Sequence, residues 1–313
     1  MVLTTLSTPL YIESLPNLSI PLDSAPRHVP GSTVTDQVER IAAIDDRFEL
    51  LREASERINV AQREVTELAR LRRRVIQELR DQGLSYADIA AAAGVTRGRI
   101  FQLRQVGPAP EAALLGSGQV EVLTPLKREA GNARPVVAAE DFTAAQRLGE
   151  LARSLRLDVE YEQIPTTGKV NLNRDNLIVI CGPRLSEPVA NVLSRDPVIQ
   201  FERAPDGPWT LHDTRTSATY RSGPDSTPEV AFDVAYLGRL PRPDREGTIL
   251  VLTGIHPPGS LGVVHLLTSD LAALYEQAGT EPFSTVVGVD YDSDTHEPVA
   301  VRLLTPIYRH EDH

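Results

Sequence analysis

The chain has 313 residues, 41% hydrophobic and 24% charged, which gives room for two domains with real cores. Its net charge of −11 excludes a surface that is basic throughout, and its one cysteine, Cys181, excludes an internal disulfide. No clustered Cys and His set points to structural zinc, and no run of about 18 apolar residues offers a membrane span.

Residues 1 to 34 are rich in Pro, Ser and Thr without a sustained period, and read as a flexible arm. They lack the basic start of a secretory signal, so the expected compartment is the cytoplasm. From 35 to 81 a helical pattern carries Ile41, Ile44, Phe48, Leu51, Ile58, Val65, Leu68, Val75 and Leu79. Steps of seven, such as Leu51 to Ile58 to Val65, outline a seam for another helix, interrupted by Ser55, Gln62 and Arg72. Two readings stay open for it: a homodimer through this seam, or helices that only complete a core under the next motif.

That motif is LSYADIAAAAGVTRGRIFQLRQ, residues 84 to 105, in which two short helical patterns meet at a turn containing Gly94. Ser85 is an N-cap for a first helix that turns Ile89, Ala90 and Ala93 inward, with Ala90 and Gly94 small where the helices cross. Thr96 caps a second helix whose Ile100 and Leu103 face inward, leaving Gly98, Phe101 and Gln102 on the far side. Between Arg70 and Arg104 eight arginines stand against three acids, a local charge of +5 in a chain whose remainder sums to −16. A helix-turn-helix with a basic face is the pattern of a module that meets double-stranded DNA. Gln102 has the geometry for a paired hydrogen bond to adenine and Phe101 for packing on a thymine methyl, while Arg99 and Arg104 suit phosphates.

The segment VTRGRIFQLRQ also resembles the promoter-reading helix of region four in primary sigma factors, over about two dozen residues. The resemblance rests on Val95, Thr96, Arg97, Arg99, Ile100 and Gln102, and departs at Gly98 and Phe101, where the family usually has an acid and a base. It implies that Arg97 and Gln102 contact DNA; the family's promoter sequence does not carry over.

Residues 106 to 118, with GPAP and GSG, read as a linker. From 119 to 309 strand and helix patterns alternate: strands at 119–124, 135–138, 158–164 and 176–181 and a helix at 141–156. Four short strand patterns between about 197 and 237 read as a β-rich insertion or an antiparallel edge, before the alternation resumes at 248. The expected fold is a Rossmann-like three-layer α/β core with a β-rich insertion, preceded by the all-α helix-turn-helix domain.

Two strand ends in this region run through glycine into a helix, where ligands of α/β proteins commonly sit because helix N–H groups favour an anion. At the first, Gly182, Pro183 and Arg184 precede Ser186 as N-cap. At the second, Gly254, His256, Gly259, Ser260 and Gly262 fall within nine residues, with Ser260 as N-cap of a helix from about 260. If the corners share one crevice, a small anionic ligand such as a nucleotide or a phosphorylated metabolite is the natural occupant, acting as an effector. Neither corner completes a dinucleotide or P-loop pattern.

Catalytic signals are weak. Cys181 ends an apolar strand and reads as a small buried hydrophobe. Asp290, Asp292, Asp294 and His296 lack the glycine and distal glutamate of a calcium loop and read as an acidic hairpin turn. Trp209, with Leu211, reads as packing in the β-rich part. The leading expectation is therefore a ligand-responsive DNA-binding regulator. A second makes the C-terminal domain a nucleotide-processing enzyme anchored to DNA, with Glu187 and His256 as acid and base. A third makes the chain an RNA-polymerase adaptor.

Overall fold

The computed structural model describes residues 34–105, 109–129, 131–132, 134–205 and 207–310. The expected arm, apart from its last residue, lies outside the described residues, as do residues 106–108 of the expected linker. Two compact units divide at Arg57 and Ile58.

In the first unit helix α1 (Val34–Ala42) is followed by the start of the long helix α2 (Arg47–Asp81). Asp46 starts α2 by accepting the N–H groups of Phe48 and Glu49 at 2.8 and 3.0 Å. The second unit holds the rest of α2, two short helices, α3 (Tyr86–Ala92) and α4 (Arg97–Gln105), and a mixed α/β region.

The main sheet of that region is built on β1 (Gln119–Pro125), β4 (Asp158–Ile164), β5 (Leu177–Val179) and β10 (Thr248–Gly254), which lie in the order β10-β5-β1-β4 and pair in parallel. Beyond β10 come β9 (Phe232–Pro241), β11 (Phe283–Tyr291) and β12 (Pro298–Leu303), antiparallel in turn, and the short β13 (Tyr308–Arg309) pairs with β11. The pairs β2 (Lys127–Arg128) and β3 (Pro135–Val136) form a separate ribbon. Because successive strand residues point to opposite faces, Val122, Ile178 and Leu250 enter one core while Leu123, Val179 and Val251 enter the other. The first core is covered by α5 (Ala139–Ser154) and α7 (Pro257–Ala278). The second is covered by the seven-residue α6 (Glu187–Leu193) and by a three-stranded antiparallel sheet, β6 (Ile199–Arg203), β7 (Trp209–Asp213) and β8 (Ala218–Tyr220).

The α/β core is thus present, with three differences from the expectation. The run FDVAYL is neither an insertion nor an edge: it is β9, inside the main sheet between β10 and β11, and its uninterrupted burial is the mark of a strand covered on both faces. Most of the expected linker belongs to the core. A turn of 3-10 helix (Pro110–Leu114) buries Ala112, Leu114 and Leu115, and the Arg239 guanidinium donates to the carbonyls of Ala113 and Leu114 at 3.3 and 2.6 Å. Last, the division into two compact units falls within α2. Arg70 of α2 is buried and donates to the Gly116 carbonyl at 2.7 Å, joining the second half of α2 to the α/β region. Among the described residues no helix is long and apolar enough to cross a membrane.

Candidate nucleic-acid interface and ligand crevice

The two short helices are set by local chemistry. Ser85 Oγ accepts the Asp88 N–H at 3.2 Å and the Asp88 carboxylate accepts the Ser85 N–H at 2.9 Å, a reciprocal cap that also holds the Asp88 carboxyl below its usual range. Gly94 follows with φ +66°, and Thr96 Oγ1 accepts the Arg99 N–H at 3.1 Å to open α4. Ile89, Ala90 and Ile100 pack with Ile76 of α2, and Leu103 is half-buried beside them. Ala93, expected inside, is exposed. Gly94 does not ease a helix crossing either: a Cβ there would meet nothing within 4 Å, so its positive φ alone requires glycine.

The outer face of α4 is open. Arg97, Gly98, Arg99, Gln102 and Arg104 are exposed, and Phe101 keeps 47% of its surface in solvent. Among the described residues none of Arg97, Arg99 and Arg104 has a carboxylate partner; Arg99 reaches Gln102 at 3.5 Å, and Arg104 donates to the Tyr86 hydroxyl at 2.6 Å. Thr96, also exposed, spends its hydroxyl on the cap.

The two glycine corners share one crevice, at the carboxyl ends of β1, β5 and β10. Gly182, Pro183 and Arg184 line it from the first corner and Gly254, His256 and Ser260 from the second, with Lys127, Asp141 and Cys181 on the floor. Phe201 and Trp209 of the small sheet form a wall, so Trp209 is more than local packing. The cavity measures only about 40 Å³. Its enclosed part admits a few waters or a phosphate-sized group.

At the first corner Ser186 is buried and caps α6 as expected, accepting the Val189 N–H at 3.4 Å while donating to the Gly168 carbonyl at 2.7 Å. It does not line the crevice. Arg184 is exposed at the rim.

The second corner differs from its sequence reading in its decisive feature. Its helix N–H groups are already taken: the fully buried Asp233 on β9 accepts the His256 and Gly259 N–H groups with Oδ2, both at 2.9 Å, and the Val234 N–H with Oδ1 at 2.9 Å. An anion bound there would meet a carboxylate instead of open donors. Burial pushes the Asp233 carboxyl up to about 6, against the opposing pull of His256. The His256 ring lies 3.0 Å from Asp225 through Nε2, and Asp225 Oδ2 is buried with no hydrogen-bond partner.

The glycines here serve packing. A Cβ on Gly259 would stand 2.4 Å from Asp233 Oδ2, and one on Gly262 would stand 2.3 Å from the Val289 side chain; neither residue lines the crevice. Helix α7 begins at Pro257 with His256 as N-cap, so Ser260 is no cap and accepts the Gly254 N–H at 3.0 Å instead.

Other polar groups are also satisfied internally. Lys127 Nζ lies 2.8 Å from Asp141 Oδ2, and burial raises the Asp141 carboxyl despite that partner. Burial pushes the Cys181 thiol up to about 12, so it stays protonated and inert. Glu187, the acid expected to work with His256, is exposed on α6 and does not line the crevice. In the 290–296 loop Asp292 accepts the N–H groups of Asp294 and Thr295, and His296 Nδ1 meets Glu140 at 2.5 Å; among the described residues no cluster suited to a metal ion occurs.

Sequence reasoning missed Asp233, Lys127, Asp141 and Tyr86. Asp233 carried a signal: a carboxylate inside an apolar strand has to find buried donors. Comparison with models of known families, with curated proteins and with solved structures finds no match.

Proposed function

We propose that the chain is a DNA-binding transcription regulator, in which α3 and α4 form a helix-turn-helix and α4 enters the major groove. The observation that carries this reading is the outward face of α4: arginines without carboxylate partners, an exposed Phe101 and an exposed Gln102 in a chain of net charge −11. A polyanion with base edges matches such a face. A second copy along α2 supplies the paired half-site reading. Ile58, Val65 and Val75 remain exposed at positions compatible with a heptad, whereas Arg70, on another side of the helix, is buried.

The α/β region is the sensing part, and its crevice takes a phosphate- or carboxylate-sized anion at Arg184 beside Phe201 and Trp209. Sequences retained from a random duplex pool test the DNA half: a reproducible motif is expected, and retention with no preference would defeat it. For the sensing half, operator affinity is measured with and without phosphate and small phosphomonoesters. Equal affinity with every compound that binds would defeat that half alone.

A further inference from the structure

We propose that Arg80, Tyr86 and Arg104 form a preassembled clamp for a DNA phosphodiester beside the reading helix. This rests on the DNA-binding reading above and extends it to α2 and α3. The Arg80 guanidinium, in the last turn of α2, lies 4.5 Å from the Tyr86 ring centroid and donates to the Leu84 carbonyl at 2.6 Å. Arg104, near the end of α4, reaches the same tyrosine at its hydroxyl. Its NH1 donates to the phenol oxygen at 2.6 Å, with Cζ 6.0 Å from the centroid.

One half-buried phenol therefore holds two like charges, and among the described residues neither arginine has a carboxylate partner. Elsewhere in the second unit Arg70, Arg147, Arg174 and Arg242 each meet an acid, while Arg153 and Arg215 each lie singly over a tyrosine ring; among the described residues Tyr86 differs in holding two arginines. With both guanidiniums within 6.0 Å of one ring centroid, a phosphate docked at Tyr86 is attracted by each. Each guanidinium has five N–H groups, so most remain available after the internal bonds are made. Placement agrees with chemistry. Arg104 follows Arg97 and Phe101 on one side of α4, at i+7 and i+3, so the clamp continues the exposed face. Tyr86 is the positioning residue: it holds both side chains before DNA arrives, which lowers the ordering cost of the contact.

The test uses the full chain and a labelled short duplex of mixed sequence, with affinity followed between about 50 and 200 mM salt. Arg104→Ala, and Arg80→Gln, which keeps a donor for the Leu84 carbonyl, are each expected to reduce the logarithmic salt slope by about 0.9, and together by about twice that. Arg104→Lys should keep the slope. Tyr86→Phe keeps the ring, so the slope should stay while affinity falls roughly two- to tenfold. A role confined to stability would shift the melting temperature and leave every slope alone. A double variant, folded by circular dichroism, with the wild-type slope overturns the clamp while Arg97→Ala still weakens binding. No duplex binding by the wild type at low salt overturns the DNA reading and the clamp together.

Discussion

The outer face of α4 and the second glycine corner both looked like binding sites, and they differ in one respect: what their polar groups do without a partner. On α4 the guanidiniums and the Gln102 amide face solvent, and among the described residues the guanidiniums have no carboxylate partner. At the corner a buried aspartate has already accepted the helix N–H groups, a serine hydroxyl has accepted a strand N–H, and each glycine is filled by a neighbour. A glycine-rich strand-to-helix turn therefore signals close approach of backbone, and the approaching group can be the protein's own carboxylate. Unspent hydrogen-bonding capacity is the better mark of a surface made for something else.

This contrast is open to direct attack. Asp233→Ala should be the most damaging change, taking the carboxylate acceptor from the His256 and Val234 N–H groups and leaving Gly259 N–H only the His256 carbonyl, with a loss of roughly 3 to 5 kcal/mol in chemical denaturation. A near-neutral result would mean that water or a ligand satisfies those donors. The same residue predicts a pH dependence. Its folded pKa, about 6, lies above the 3.8 of an ordinary aspartate, so its contribution to stability is complete below about pH 4 and is lost as pH rises through 6. The drop should be about 3 kcal/mol, visible in stability curves as wild type minus Asp233→Asn, which cannot titrate.

Gly262→Ala should cost about 1 to 3 kcal/mol, since its Cβ would run into Val289. Arg97→Ala and Gln102→Ala should each weaken a specific site by roughly 1 to 3 kcal/mol without changing the melting temperature, and Gln102→Ala should relax preference at one base. Smallest is Gly98→Ala. Nothing lies within 4 Å of that Cβ, so the change should stabilise the fold by roughly 0.5 to 1 kcal/mol, and a loss of stability there would reveal an unseen neighbour.

Much of the α3–α4 region was legible because its determinants are local. Ser85, Thr96, Ile89 and Ile100 act within a few residues of one another, and each does what its spacing implies. The strand patterns of the α/β core were legible for the same reason. The reading failed where a distant residue decided the outcome. The PEAALL segment looked like a linker because GPAP and GSG flank it, but Arg239, more than a hundred residues later, binds its carbonyls and draws it into the core. Of the candidate crevice, the shared position of the two corners was foreseeable; its narrowness and the Phe201 and Trp209 wall were not.

By itself the sequence determined which segments become helices and strands, which faces are apolar, and that one basic stretch interrupts an acidic chain, because periodicity, capping and local charge act over a few residues. Only the tertiary structure decided which polar groups find partners inside. Asp233 at the start of α7 and Tyr86 between two arginines are pairings across 23 residues or more in one case and between α2, α3 and α4 in the other. Whether a charge is spent internally or left for a partner depends on where folding brings its neighbours, and no spacing along the chain records that.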